Sequence, residues 1–123
     1  MKLFSRIYGN GQPLIIIHGL FGMSDNWNTL GERFAKYCNV HIIDLRNHGR
    51  SPYSEDFNYD VMCDDVLEYI EYKNIKKPIL LGHSLGGKVA MKFTFTYPDK
   101  VEKLIVADIS PRRYNTDFVQ NLL

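Results

Sequence analysis

The stretch Gly82-His83-Ser84-Leu85-Gly86 carries the residue types and spacing with the clearest chemistry. A serine hydroxyl is a poor nucleophile at its free pKa, so it must be exposed, oriented and given a base. Here the serine stands between an apolar run, Pro78 to Leu81, and a helix-like segment, with a glycine two residues to either side. Gly82 and Gly86 leave room for a sharp strand-to-helix turn, strained at Ser84, that lifts the hydroxyl to the carboxyl end of a sheet. The first helical N–H, that of Leu85, then carries partial positive charge toward a developing oxyanion. The plainer reading, a glycine-rich turn with an incidental serine, does not account for the strand before it and the helix after it.

His18-Gly19-Leu20-Phe21-Gly22 follows another apolar run and has the glycines needed for backbone to approach a substrate oxygen. It is expected to supply the second oxyanion donor, the Leu20 N–H, with the Phe21 N–H as alternative, unless it is a simple turn into the next helix. His18 itself reads as a structural histidine bonding loop backbone. Asp44-Leu45-Arg46-Asn47-His48-Gly49-Arg50-Ser51 reads as loop architecture at the same sheet end, with Asp44 and Arg46 expected to pair and His48 as a pocket residue. Asp108, at the carboxyl end of the last strand, is a candidate triad acid or a loop anchor.

Enzymes built on this turn order their triad serine, acid, histidine. No histidine follows His83 in the sequence. His83 precedes the serine and is expected to point away from it, His18 precedes the oxyanion loop, and His41 lies within a strand. The general base is therefore expected beyond residue 123.

Several elements must hold these groups. Leu3 to Tyr8 reads as a strand, and Gly9 to Pro13 as a tight turn, so the first two strands are expected to form a hairpin edge. Leu14 to Ile17, Val40 to Asp44, Ile79 to Leu81 and Leu104 to Ala107 are short apolar runs without alternation, the pattern of strands buried on both faces of a parallel sheet. Trp27 to Tyr37, Tyr59 to Tyr72 and Leu85 to Tyr97 have helical length, with Pro98 closing the last. On the second, Met62, Val66, Tyr69, Ile70 and Lys73 share one face, and Asn58 stands where a cap is useful. Alternating strands and helices predict an α/β fold with a mostly parallel, doubly wound sheet. Residues 1–110 read as the amino-terminal part of this core, and residues 111–123 as the incomplete start of a further segment.

Composition narrows the function. Fifteen basic and fourteen acidic side chains leave a formal charge of +1, so no global field recruits nucleic acid or an anionic membrane. Cys38 and Cys63 lack metal-ligand spacing and read as reduced thiols, and the short apolar start is no signal peptide, so a cytoplasmic protein without metal or cofactor is expected. No apolar stretch approaches spanning length. An aromatic share of 13% suits a core and an apolar pocket.

The motifs at 18–22, 44–51 and 82–88, with Asp108-Ile109-Ser110-Pro111 where similar proteins carry Asp-Ile-Ala-Pro, resemble the α/β-hydrolase superfamily. More narrowly, the whole chain resembles the amino-terminal half of a YbfF-type (abhydrolase) esterase. The resemblance implies an eight-stranded sheet of which the first six strands are present, ordered 1-2-4-3-5-6, followed by a helical cap, two strands and a late histidine. It also implies hydrolysis of carboxylic esters or thioesters through an acyl-enzyme on Ser84. An aspartate at position 84 would have pointed to a dehalogenase or an epoxide hydrolase. Two other readings stay open: carbon-carbon bond hydrolysis or elimination on the same scaffold, and a non-catalytic fragment or half of a split enzyme. The last would be completed by a carboxyl-terminal chain or by self-association through an exposed sheet edge.

Overall fold

An uninterrupted apolar run buries both its faces only if it passes through the middle of a covered sheet. Leu14 to Ile17 does so in the computed structural model, which describes residues 1–19, 22 and 27–107. Strands β1 (Ser5–Tyr8), β2 (Gln12–Ile17), β3 (Cys38–Ile43), β4 (Ile79–His83) and β5 (Lys103–Ala107) form one sheet in the order β1-β3-β2-β4-β5. Neighbours among β2 to β5 run parallel, whereas β1 runs antiparallel to β3. Between them lie α1 (Asn28–Phe34), α2 (Tyr59–Tyr72) and α3 (Leu85–Thr96). The sheet is the mostly parallel, helix-covered one expected.

Two expectations about its edge are corrected. β1 and β2 are consecutive but do not form a hairpin, because β3 is inserted between them, with Ser5 opposite Ile43 and Ile17 opposite Ile43 on the other side. The cause is burial: Ile15, Ile16 and Ile17 need a parallel partner on each side, while Ser-Arg-Ile-Tyr of β1, only partly covered, suits an edge. The connecting turn, with Gly9 and Gly11 at φ 71° and 113°, is tied to β3 by the Asn39 side chain donating to the Gly9 carbonyl at 3.0 Å. The described residues hold five strands rather than six. Their order is the expected 1-2-4-3-5-6 without its first member.

Helix limits follow local chemistry. Asn58 caps α2 as its position suggested, its side-chain oxygen accepting the Val61 N–H at 2.9 Å. α1 is shorter than expected, ending at Phe34 before a turn through Tyr37, and α3 ends at Thr96 with Pro98 opening a short 3₁₀ turn. One core layer, including Ile15, Ile17, Met62, Val66, Leu80, Val89 and Phe93, fills the space between the sheet and the α2–α3 pair. Leu14, Ile16, Val40, Ile42 and Leu81 pack on the opposite face with Trp27 and Phe34. Lys73, placed on the apolar stripe of α2 by its spacing, is exposed, whereas Cys63 and Asp65 are buried there. Both Cys38 and Cys63 are free thiols, and burial pushes Cys63 up to about 11. Among the described residues no helix is long and apolar enough to cross a membrane.

The register brings one edge together. Ile17 lies opposite both Ile43 and Gly82, and His83 lies opposite Ala107, so the chain leaves β2, β3, β4 and β5 at the same end of the sheet. The loops after β2 and β3 and the turn after β4 are neighbours for that reason.

Candidate active site

Ser84 is exposed at the start of α3 with φ 53° and ψ −113°, outside the regions open to L-residues without strain. Such a conformation costs about 1–3 kcal/mol and persists only where surrounding structure enforces it. Enforcement is visible on both sides: the Ser84 N–H donates to the Ala107 carbonyl at 3.1 Å, and the Ser84 carbonyl accepts the Lys88 N–H at 3.1 Å. The serine occupies the cap position of α3, yet its side chain makes no capping bond. Its hydroxyl is thus not spent on the helix, and the first-turn N–H groups, Leu85 foremost, keep their unsatisfied polarity at the positive end of the helix dipole.

The glycines at either side are explained by approach distances. A Cβ at Gly86 would lie 2.1 Å from the Ile17 carbonyl oxygen and 2.4 Å from that of His18, and one at Gly82 would lie 2.3 Å from the Gly86 carbonyl oxygen. α3 therefore starts directly on top of the end of β2. Gly19 packs against the elbow from the other loop, where a Cβ would meet His83 Nδ1 at 2.9 Å and Ser84 Cβ at 3.4 Å. The side chain of His83 is half-buried, with its ring 5.7 Å from that of Trp27.

His18 is fully buried and joins two loops. Its Nε2 accepts the Leu45 N–H at 3.0 Å, so Nδ1 carries the proton and donates to the Gly19 carbonyl at 2.6 Å. Burial holds its pKa below the usual histidine value, against the Gly19 hydrogen bond, and keeps the ring neutral as this pattern requires. The Gly22 N–H closes the loop onto the Gly19 carbonyl at 3.0 Å. Leu20 and Phe21, the expected second oxyanion donors, lie outside the described residues, as does Asp108. Asp108 follows Ala107, the residue whose carbonyl holds the Ser84 N–H.

The 44–51 loop is built differently from expectation. Asp44 and Arg46 do not pair: the Asp44 carboxylate accepts the Arg50 N–H at 3.0 Å, while Arg46 reaches α2 and grips Asp65 with two bonds, 2.6 Å from Nε and 2.8 Å from Nη2. A guanidinium two residues along can fork onto a carboxylate across the loop with better geometry than onto one beside it. Asp65 is 2% exposed, and its hydrogen bond, then its charge, raises the Arg46 pKa. Asp65 was missed by sequence reading although the signal was there, since a carboxylate between Met62 and Tyr69 sits on the apolar stripe and demands a cation. His48 donates from Nδ1 to the Arg46 carbonyl at 2.9 Å and stands 5.0 Å from the His18 ring. His41 is buried away from the elbow, bonded to Tyr69 and Asn39 at 2.7 Å each. Among the described residues no group of three His, Cys, Asp or Glu side chains is arranged to hold a metal ion.

An exposed serine on a strained strand-to-helix turn, at the carboxyl edge of a mostly parallel sheet, defines the class. Residues 12–122 match the alpha/beta hydrolase fold, and the chain belongs to that family. Within it, the chain is 50% identical over 105 residues to a Haemophilus influenzae protein provisionally named an esterase/lipase, covering 85% of this chain and 37% of that one. It is 37% identical over 106 residues to esterase YbfF of Escherichia coli, covering 86% of this chain and 42% of the relative. A solved marine microorganism esterase superposes with a TM-score of 0.87 at 47% identity, over 99% of this chain and 48% of that structure. The chain thus spans less than half the length of each of these proteins.

Proposed function

We propose that this chain carries the nucleophile half of a serine hydrolase acting on carboxylic esters or thioesters. The observation that carries the reading is Ser84 itself: exposed, held at φ 53°, uncommitted to capping, and facing the Gly19 loop. The hydroxyl gives its proton to the general base as it attacks the acyl carbonyl, the Leu85 N–H and a donor from the 20–21 segment hold the oxyanion, and the alcohol or thiol leaves with that proton. Water then cleaves the acyl-enzyme by the reverse sequence. Family membership and relatives named esterases support hydrolysis.

The general base is assigned to a histidine outside these 123 residues. Both ring nitrogens of His18 are engaged with Leu45 and Gly19, and both of His41 with Tyr69 and Asn39. Asp108 is assigned as acid or loop anchor, and a later acid is the alternative. A serine hydrolase deprived of its base keeps only the modest enhancement of the oxyanion hole and binding. On this reading the substrate is a small-molecule acyl ester or thioester, no cofactor is used, and a complementing carboxyl-terminal segment finishes the site.

The test is hydrolysis of p-nitrophenyl butyrate by the protein with its native continuation, together with labelling by a fluorophosphonate. Ser84→Ala is expected to lower kcat by about 10³-fold or more and to remove the adduct from the tryptic peptide containing residue 84. Turnover that survives the substitution, or an adduct on another serine, refutes the assignment.

A further inference from the structure

The flank of the sheet at β1 holds a cluster the hydrolase reading does not use. A cleft of about 360 Å³ is lined by Lys2, Phe4, Arg50, Tyr72 and Lys73 among others, and none of its lining residues is acidic. Two strands, β3 and β2, separate β1 from β4, which puts this cleft about 14 Å across the sheet from the elbow strand.

The cations here rest on ring faces. Lys2 Nζ stands 4.5 Å and Lys73 Nζ 5.5 Å from the Tyr72 ring centroid, and the Arg50 guanidinium lies 5.2 Å from that of Phe4. Tyr72 is held below the usual phenol value, first by a hydrogen bond from Lys2 and then by its charge. Among the α2 acids, Asp65 is paired with Arg46 and, at 3.6 Å, with the Met1 amine, Glu68 is paired with that amine as well, and Glu71, next to Tyr72 in sequence, does not line the cleft. By contrast, exposed Lys92 on α3 has Asp60 at 2.7 Å. Three positive charges thus converge on one cleft in a chain whose net charge is only +1. Like charges so placed repel one another until an anion enters.

We propose that this cleft binds a phosphoryl-bearing anion, with Lys2, Lys73 and Arg50 as its ligands and the Tyr72 and Phe4 rings as walls for the group it is attached to. A phosphoryl group fits better than a carboxylate. Two ammonium groups and a guanidinium offer donors from several directions, which a tetrahedral dianion with three free oxygens can accept and a planar monoanion cannot. The cleft volume is that of a small-ligand site. The phosphoryl group can belong to a free metabolite or to a lipid headgroup, and the experiment separates the two.

Inorganic pyrophosphate is titrated into the protein by calorimetry at pH 7 in low salt, and retention on phosphatidic acid vesicles is measured against phosphatidylcholine vesicles. Saturable pyrophosphate binding is expected, weakened by added salt, lowered about tenfold or more by Lys2→Gln combined with Lys73→Gln, and unchanged by Lys92→Gln. Retention on phosphatidic acid that pyrophosphate competes away identifies a lipid headgroup, and binding without retention identifies a soluble ligand. Ser84→Ala leaves binding intact in either case, so the outcome is independent of the hydrolase reading. No saturable binding up to 10 mM pyrophosphate, or equal weakening by Lys92→Gln, overturns the proposal.

Discussion

Replacing Asp65 by Asn removes one charge from the buried pair that anchors the 44–51 loop to α2. In the native protein the Arg46 guanidinium gives Asp65 bonds of 2.6 and 2.8 Å and a third, of 2.9 Å, to the Asp56 carbonyl. Asn keeps the shape and one acceptor but leaves a positive charge that is 9% exposed without its counter-ion. Breaking a buried pair from one side costs about 3–5 kcal/mol, about a fifth or more of the 5–15 kcal/mol typical of a domain. With a urea m-value of about 1.5 kcal/mol/M, the midpoint falls by about 2–3 M. Urea unfolding at pH 7 followed by circular dichroism and by fluorescence of Trp27, the single tryptophan, reads this directly. The double variant Arg46→Met with Asp65→Leu should recover most of the loss, because apolar groups of similar volume need no partner. The reasoning fails if Asp65→Asn costs under about 1 kcal/mol, or if the double variant is as unstable as the sum of the singles.

Gly86→Ala places a methyl group 2.1 Å from the Ile17 carbonyl oxygen, backbone against backbone, so it should cost at least about 3 kcal/mol and shift the thermal midpoint by 10 °C or more. Asn58→Ala removes the acceptor for the Val61 N–H and should cost about 1 kcal/mol in the same unfolding assay, with Asn58→Ser restoring most of it. Burial, and then the charge of Lys73, lowers His41 to about 4 in the folded protein from an unfolded value near 6.5. The unfolded chain therefore takes up a proton that the folded one refuses as pH falls from 6.5 toward 4, and stability drops by about 2 kcal/mol between pH 7 and pH 5. His41→Gln should flatten that slope in parallel denaturation series, leaving the smaller share that His18 contributes in the same direction.

Local signals made much of this fold readable in advance. The apolar runs at 14–17 and 79–81, the cap at Asn58 and the full extent of α2 are written in neighbouring residues, and so is the elbow with its two glycines. What escaped was set by partners far along the chain. β1 pairs with β3 because β2 already has two parallel neighbours, a competition that no window around residues 5–17 contains. Arg46 prefers Asp65 to Asp44 because helix α2 passes over the loop, which is a fact of packing. The spacing of Gly86 suggests room for a turn, whereas the obstacle a Cβ would meet there is the end of β2.

The insertion of β3 between β1 and β2 also bears on how the chain is made. Emerging from the ribosome, Leu14 to Ile17 find no partner in the strand just before them; the first arrives with residues 38–43 and the second with residues 79–83. At about 5–20 residues per second, the sheet's central strand waits roughly 3–12 s for its second neighbour. For that interval three consecutive isoleucines lack one of their two strand partners, which makes β2 the natural place for a holding chaperone to bind and for misassembly to begin.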